Sequence, residues 1–256
     1  MAHLKASLQK KNYWILWDDK SMDSFLRTEA LFGAESMENL RNAKVIVFGV
    51  GGVGGYTAEA LVRSGIGRID VVDPDKVAKS NLNRQIIALE STVGKSKVSV
   101  IKERMLQINP LVEVNCFDLF YTPENADSID LSVYDYIVDA IDFVPGKVEL
   151  SVRANKLNIP IISSMGFGNK LNPTQVEVAD LSKTSVCPLA RTMRRLLREK
   201  GITHLKTVYS KEIPTKPACP LDSSGKATVA SVAFVPSVAG LVIASEVIKD
   251  IAQIKE

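Results

Sequence analysis

Several groups of residues in this 256-residue chain have the types and spacing to handle a nucleotide. Gly49, Gly51 and Gly54 form G-x-G-x-x-G, with Gly52 and Gly55 added. The first glycine turns the chain, the second lets backbone approach a phosphate, and the third lets a helix pack on a strand. A helix starting there points its positive end at the anion. Asp73 follows 24 residues after Gly49, where a carboxylate can accept a ribose hydroxyl. This much suits a nicotinamide and an adenine nucleotide alike.

The next segment separates the two. Asp75 precedes SNLNRQ, with Asn81, Asn83, Arg84 and Gln85, and Lys97 follows in GKSKV. Hydride transfer has no need of these groups. Attack on the α-phosphate of ATP does, because negative charge spreads over the transition state and the departing pyrophosphate. Fixed Arg84 and Lys97 can stabilise both, and Asn81 or Asn83 can orient a phosphate oxygen. Asp139 and Asp142 close an apolar run at which a triphosphate with Mg²⁺ could sit, the metal held through few carboxylates. Asp142 is the metal candidate, against the simpler role of capping a helix that starts near Pro145. For Asp139 both roles stay open.

Other chemistries are restricted. The three cysteines, Cys116, Cys187 and Cys219, form no C-x-x-C pair, and the only histidines are His3 and His204. A four-cysteine zinc site and a histidine-based metal cluster are excluded, and an odd cysteine count argues against a disulfide framework. Nothing in the sequence beside Cys187 or Cys219 activates a thiol.

The elements that must position these residues follow from apolar periodicity. Helical character over 22–42, with a break at Gly33, precedes a buried parallel strand over 44–48. The glycine loop, a helix over 56–64 ended by Gly65, and a strand over 68–73 complete a βαβ unit. A helix over 95–109, strands over 112–117 and 134–140, a helix over 146–157 and a strand over 159–163 continue the alternation. The fold class is α/β, a Rossmann-like doubly wound sheet, mainly parallel. Beyond Met165 the order changes. Strands over 175–179 and 206–209 flank a basic helix over 188–200, so the second half is mixed or antiparallel. Residues 229–248 form the least polar stretch. Pro236 and Glu246 make it a buried strand followed by a helix over 237–251 rather than a membrane span.

Composition agrees with a globular enzyme. Apolar residues are 46% and charged residues 24%, close to the globular average. Thirty-two Lys and Arg against 29 Asp and Glu leave a formal charge of +3, too small to argue for nucleic acid alone. The N-terminal segment lacks the features of a secretory signal, and a cytoplasmic location is the simplest expectation. Residues 1–21 are expected to be an extension. Residues 22–256 are expected to form one domain, with an ATP-binding half over 22–165 and a substrate-binding and dimerisation half over 166–256.

GVGGVG, VVDPDKV, SNLNRQ and GKSKV together resemble the ATP-binding core of the ThiF/MoeB/HesA family. The resemblance spans about residues 22–250. It implies ATP-dependent adenylation of a carboxylate, usually in a homodimer. Carried onto this chain, it makes Asp73 the ribose acid and Asn81, Arg84 and Gln85 the ATP contacts. Lys97 becomes the phosphate lysine and Asp142 the Mg²⁺-associated aspartate. Arg27, in FLRTEALFG, becomes an arginine that reaches the partner protomer's ATP. The candidate catalytic residues are therefore Arg84, Lys97, Asp142 and Arg27.

RTEALFG, DAIDFVPGK and the run from Leu171 to Glu199 resemble a zinc-free branch of that family that acts on tRNA. The implied substrate is tRNA carrying threonylcarbamoyladenosine beside the anticodon. Its threonyl carboxylate would be activated by ATP and attacked by the neighbouring carbamoyl group, with net loss of water. An intramolecular attack needs no enzyme nucleophile. Arg191, Arg194, Arg195, Arg198 and Lys200 lie in the basic helix, and the four arginines share one helical face, a candidate phosphate-contacting patch. The alternative is adenylation of the C-terminus of a small ubiquitin-like or sulfur-carrier protein. Sulfur-transfer proteins are then possible partners.

Overall fold

The computed structural model describes residues 23–219, Gly225 and 229–254; the expected extension over 1–21 and Met22 lie outside the described residues. Asp23–Phe25 form a single 3₁₀ turn, followed by α1 (Leu26–Phe32) and α2 (Ala34–Asn42), separated at Gly33 as expected. β1 (Lys44–Phe48), α3 (Gly54–Arg63) and β2 (Arg68–Val72) make the βαβ unit. Then come α4 (Lys97–Ile108), β3 (Cys116–Phe117), β4 (Tyr136–Asp139), α5 (Val144–Leu157) and β5 (Ile161–Ser164). The second half holds β6 (Val176–Asp180), α6 (Pro188–Glu199), β7 (Lys206–Ser210) and α7 (Phe234–Ala252).

The seven strands form one sheet in the order β3-β2-β1-β4-β5-β7-β6. Every pairing is parallel except β6 with β7, which is antiparallel. The sheet is thus mainly parallel, with its mixed portion in the second half. β1 lies between β2 and β4, so the strand order reverses beside it and a crevice opens above the ends of β1 and β4.

Period-two alternation divides each central strand between two cores. Val45, Val47, Ile69, Val71 and Val138 enter one cluster with Leu61 of α3, Ile101 of α4 and Ile243 of α7. Ile46, Phe48, Val72 and Ile137 enter the other with Leu150 and Ala154 of α5. The near-continuous apolar run of β1 is the result of burying both faces.

Two expected elements are corrected. The strand over 112–117 is cut to Cys116–Phe117, because the Asn115 N–H bonds the Asp70 carboxylate at 3.0 Å where the ladder would use a β2 carbonyl. No strand forms over 229–233. There Ala230 pairs with Asn169, accepting from its N–H and donating to its Oδ1, both at 2.7 Å. α7 begins at Phe234, with Pro236 in its first turn, where a missing N–H leaves no helical bond unmade. Among the described residues, no helix is long and apolar enough to cross a membrane.

Candidate functional site

The crevice at the strand-order reversal is a cleft of about 750 Å³, within the usual size of small-molecule sites. Its floor is the turn after β1. Gly49 takes φ +86°, and a Cβ there would stand 2.7 Å from the Ala140 carbonyl oxygen. A Cβ on Gly54 would lie 1.8 Å from the Gly49 oxygen. Only glycine lets α3 start this close to β1, with Gly51 and Gly52 lining the cleft at the helix's positive end.

Asp73, just beyond β2, braces this turn. Its Oδ2 accepts from the Val50 N–H at 2.8 Å and its Oδ1 from the Asp75 N–H at 2.9 Å. Burial pushes its carboxyl above the ordinary value, against the attraction of Lys97 and the two amide bonds. Lys97 opens α4 and is itself buried. Its Nζ lies 2.7 Å from Asp75 Oδ2 and 3.5 Å from Asp73 Oδ1.

The SNLNRQ segment crosses the cleft beside the glycine turn. Asn81 closes its own turn, its Oδ1 accepting from the Ala78 N–H at 3.0 Å. The group it can offer a ligand is therefore its Nδ2 amide. Arg84 donates through Nη1 to the Ser80 carbonyl and to Asn83 Oδ1, both at 2.9 Å. Gln85 sits over Gly51, and its buried Oε1 has no hydrogen-bond partner among the described residues. Asn83 does not line the cleft; its amide donates to the Ser231 carbonyl at 3.1 Å. Its place is to hold Arg84 and the 229–231 segment together.

At the end of β4 the two aspartates diverge. Asp142 is exposed in the cleft and does not cap α5, whose cap position is Phe143. Asp139 is fully buried beneath it. It pairs with Lys147 at 2.9 Å and accepts from Ser163 Oγ at 2.5 Å. Lys147 escaped the reading of the sequence. The signal was its place in the stripe 147, 150, 151, 154, the inward face of α5. Phe120, Phe143, Phe167 and Val229 add apolar walls to the cleft.

Outside the cleft, Arg191, Arg194, Arg195 and Arg198 line one groove on α6, with Lys200 exposed just beyond. Arg194 turns back to donate to the Thr184 carbonyl at 2.9 Å, and Arg195 pairs with Glu199 at 2.9 Å. Arg27 is exposed on α1 and does not line its own chain's cleft. Cys116 donates to the Val98 carbonyl, and burial pushes its thiol up, away from nucleophilic character. Among the described residues no cluster of three His, Cys, Asp or Glu could hold a metal.

A model described as the ThiF family matches residues 25–256. The chain is 42% identical to tRNA threonylcarbamoyladenosine dehydratase of Bacillus subtilis over 241 residues, covering 90% of this chain and 95% of that protein. It superposes on the crystal structure of Escherichia coli tRNA N6-threonylcarbamoyladenosine dehydratase in complex with ATP at a TM-score of 0.83 and 34% identity, covering 92% of this chain and 96% of the other. The same enzyme in complex with AMP gives 0.84 and 35% over 92% and 97%. Similarity to the sulfur carrier protein adenylyltransferase of Thermus thermophilus, 37% identical, covers 57% of this chain and 54% of that protein.

Proposed function

Since this chain belongs to the ThiF family, we propose that it catalyses the ATP-dependent dehydration of N6-threonylcarbamoyladenosine in tRNA. The observation that carries the reading is the cleft itself. It gathers a helix N-terminus, Arg84, Lys97 and an exposed Asp142 above an acid that can take a ribose. Similarity to the dehydratases over nine-tenths of the chain favours this substrate over a carrier protein.

Asp73 takes the ribose, and the glycine turn with Asn81 and Gln85 takes the phosphates. A threonyl carboxylate oxygen attacks the α-phosphorus, and the bond to pyrophosphate breaks. Arg84 and Lys97 are placed to receive the charge that develops. The carbamoyl nitrogen or oxygen then attacks the activated carbonyl and expels AMP. A proton is lost, so the ring closes with net loss of one water. The step is intramolecular, which suits a site without an activated thiol.

The donor set suits Mg²⁺ carried in with ATP. Asp142 presents to the cleft a carboxylate with no ion pair among the described residues, and this ion is commonly held by one or two carboxylates plus substrate phosphates. When bound, the ion would neutralise phosphate charge. We further read residues 22–256 as one unit that acts as a cytoplasmic homodimer, with Arg27 reaching the partner's cleft and the α6 arginines meeting tRNA phosphates. The test is incubation with ATP, Mg²⁺ and tRNA bearing the modified nucleoside. A nucleoside lighter by one water supports the reading. An unchanged mass with ATP bound, or pyrophosphate exchange driven only by a carrier peptide, overturns it.

A further inference from the structure

Lys147 sits where a solvated charge cannot. It is wholly buried on the inward face of α5, beside Leu150, Ser151 and Ala154. Three acceptors receive its ammonium: Asp139 Oδ2 at 2.9 Å, the Ser164 carbonyl at 2.9 Å and the Ile141 carbonyl at 3.2 Å. The first two join the ends of the neighbouring strands β4 and β5. The third is of a different kind. The Ile141 carbonyl belongs to the planar peptide group that joins Ile141 to Asp142. An ammonium that fixes this oxygen fixes the plane from which the Asp142 side chain departs. The opposite side of the loop is fixed too. The Ala140 N–H donates to the Phe48 carbonyl at 2.8 Å, and the Ala140 oxygen lies so near Gly49 that a Cβ there would stand 2.7 Å from it. Asp142 is thus referenced to the phosphate-binding turn through Ala140 and to the buried lysine through Ile141.

A buried ion pair contributes little stability over an apolar pair of the same volume. What an apolar pair could not supply is the donor to Ile141. We infer that Lys147 is a positioning residue that sets the Asp142 carboxylate for Mg²⁺-bound ATP, an inference that rests on the reading of Asp142 given above.

Calorimetry separates this role from a structural one. Lys147→Met alone strands a buried carboxylate, so the main variant combines Lys147→Met with Asp139→Asn. In that chain, affinity for AMP without metal should stay near its original value. The gain in ATP affinity on adding Mg²⁺ should fall by roughly tenfold or more, the usual effect of losing a group behind a metal ligand. Adding Asp142→Asn should then cost less than it does in the original chain. Combining Lys147→Gln with Asp139→Asn, whose amide can still donate to Ile141, should keep most of the gain. An undiminished Mg²⁺ gain, or equal losses for AMP and Mg²⁺-ATP, overturns the inference. Asp142→Asn alone tests the underlying reading. If it leaves the gain intact, Asp142 is not the metal partner and the inference falls with it. If it lowers the gain while the Lys147 variants do not, only the inference falls.

Discussion

The Lys97 ammonium lies 2.7 Å from the Asp75 carboxylate, the lysine buried and the aspartate largely exposed at the cleft rim. On the proposed reading, a triphosphate entering the cleft competes with Asp75 for that ammonium. Lys97→Ala should lower turnover by roughly a hundredfold or more, the scale set by losing one transition-state donor. Lys97 also holds the buried Asp73 carboxyl below where burial alone would put it. In the variant the Asp73 pKa rises, so the acid limb of ATP binding moves to higher pH. A titration of ATP affinity against pH checks this, and full turnover removes Lys97 from the site.

Arg84 is preset by the Ser80 carbonyl and Asn83. Arg84→Ala should reduce turnover by about a hundredfold with the melting temperature nearly unchanged. Arg84→Lys should recover little, because an ammonium cannot reproduce the planar fork. Single-turnover kinetics with saturating ATP would reveal either outcome.

Glu59 on α3 gathers Arg104 of α4 at 2.6 Å and Arg63 at 2.8 Å. Burial alone would raise its pKa, but the hydrogen bonds from Arg104 and Arg63 outweigh this and hold it below the ordinary value. Its contribution to stability is present above the unfolded pKa of about 4.3 and is lost as pH falls through the lower folded value. Glu59→Gln should cost about 1–2 kcal/mol at neutral pH, with the difference from the original chain shrinking in acid. Chemical denaturation at several pH values measures both.

Gly54→Ala places a methyl 1.8 Å from the Gly49 carbonyl oxygen, a contact that backbone on both sides must yield to. The expected loss is about 3 kcal/mol or more, with ATP binding abolished because the phosphate turn moves. Thermal melting with and without ATP would show it. A folded, ATP-binding variant would contradict the close approach of α3 to β1.

Arg191 and Arg198 are exposed on the groove of α6 and show no ion pair among the described residues, whereas Arg194 is tied to backbone. If tRNA phosphates meet this face, Arg191→Ala with Arg198→Ala should lower the slope of log affinity against log salt by about 1–2. Filter binding across a salt series tests it, and an unchanged slope removes the face from the tRNA footprint.

The sequence carried the elements whose signals are local. The run of β1, the glycine turn and the helix behind it are each written in consecutive residues, and the doubly wound, mainly parallel class follows from their alternation. What stayed hidden depends on partners far along the chain. β3 shortens because Asp70 captures the Asn115 N–H, and residues 229–233 are held by Asn169 and Asn83 rather than by a strand. SNLNRQ shows an amide at position 83 but not that it faces Ser231. The face of α6 is periodic in sequence, yet nothing there marks Arg194 as the arginine that turns inward to Thr184. Lys147 shows the limit best, since its acceptors come from the ends of β4 and β5 and from the loop after β4, none of them legible beside it in sequence.

The helix that follows the glycine turn, α3, is finished by a distant one. A Cβ on Gly240 of α7 would stand 2.4 Å from the Val53 carbonyl oxygen, and Thr57 of α3 donates to the Gly240 carbonyl across 183 positions of chain. During synthesis, the glycine turn and α3 leave the ribosome long before their cover exists. At common elongation rates of about 5–20 residues per second, that cover is roughly 10–40 seconds away. Until then the face of α3 that α7 will bury stays open to water and to chaperones, so a nascent chain completes this side of the cleft only once α7 has emerged.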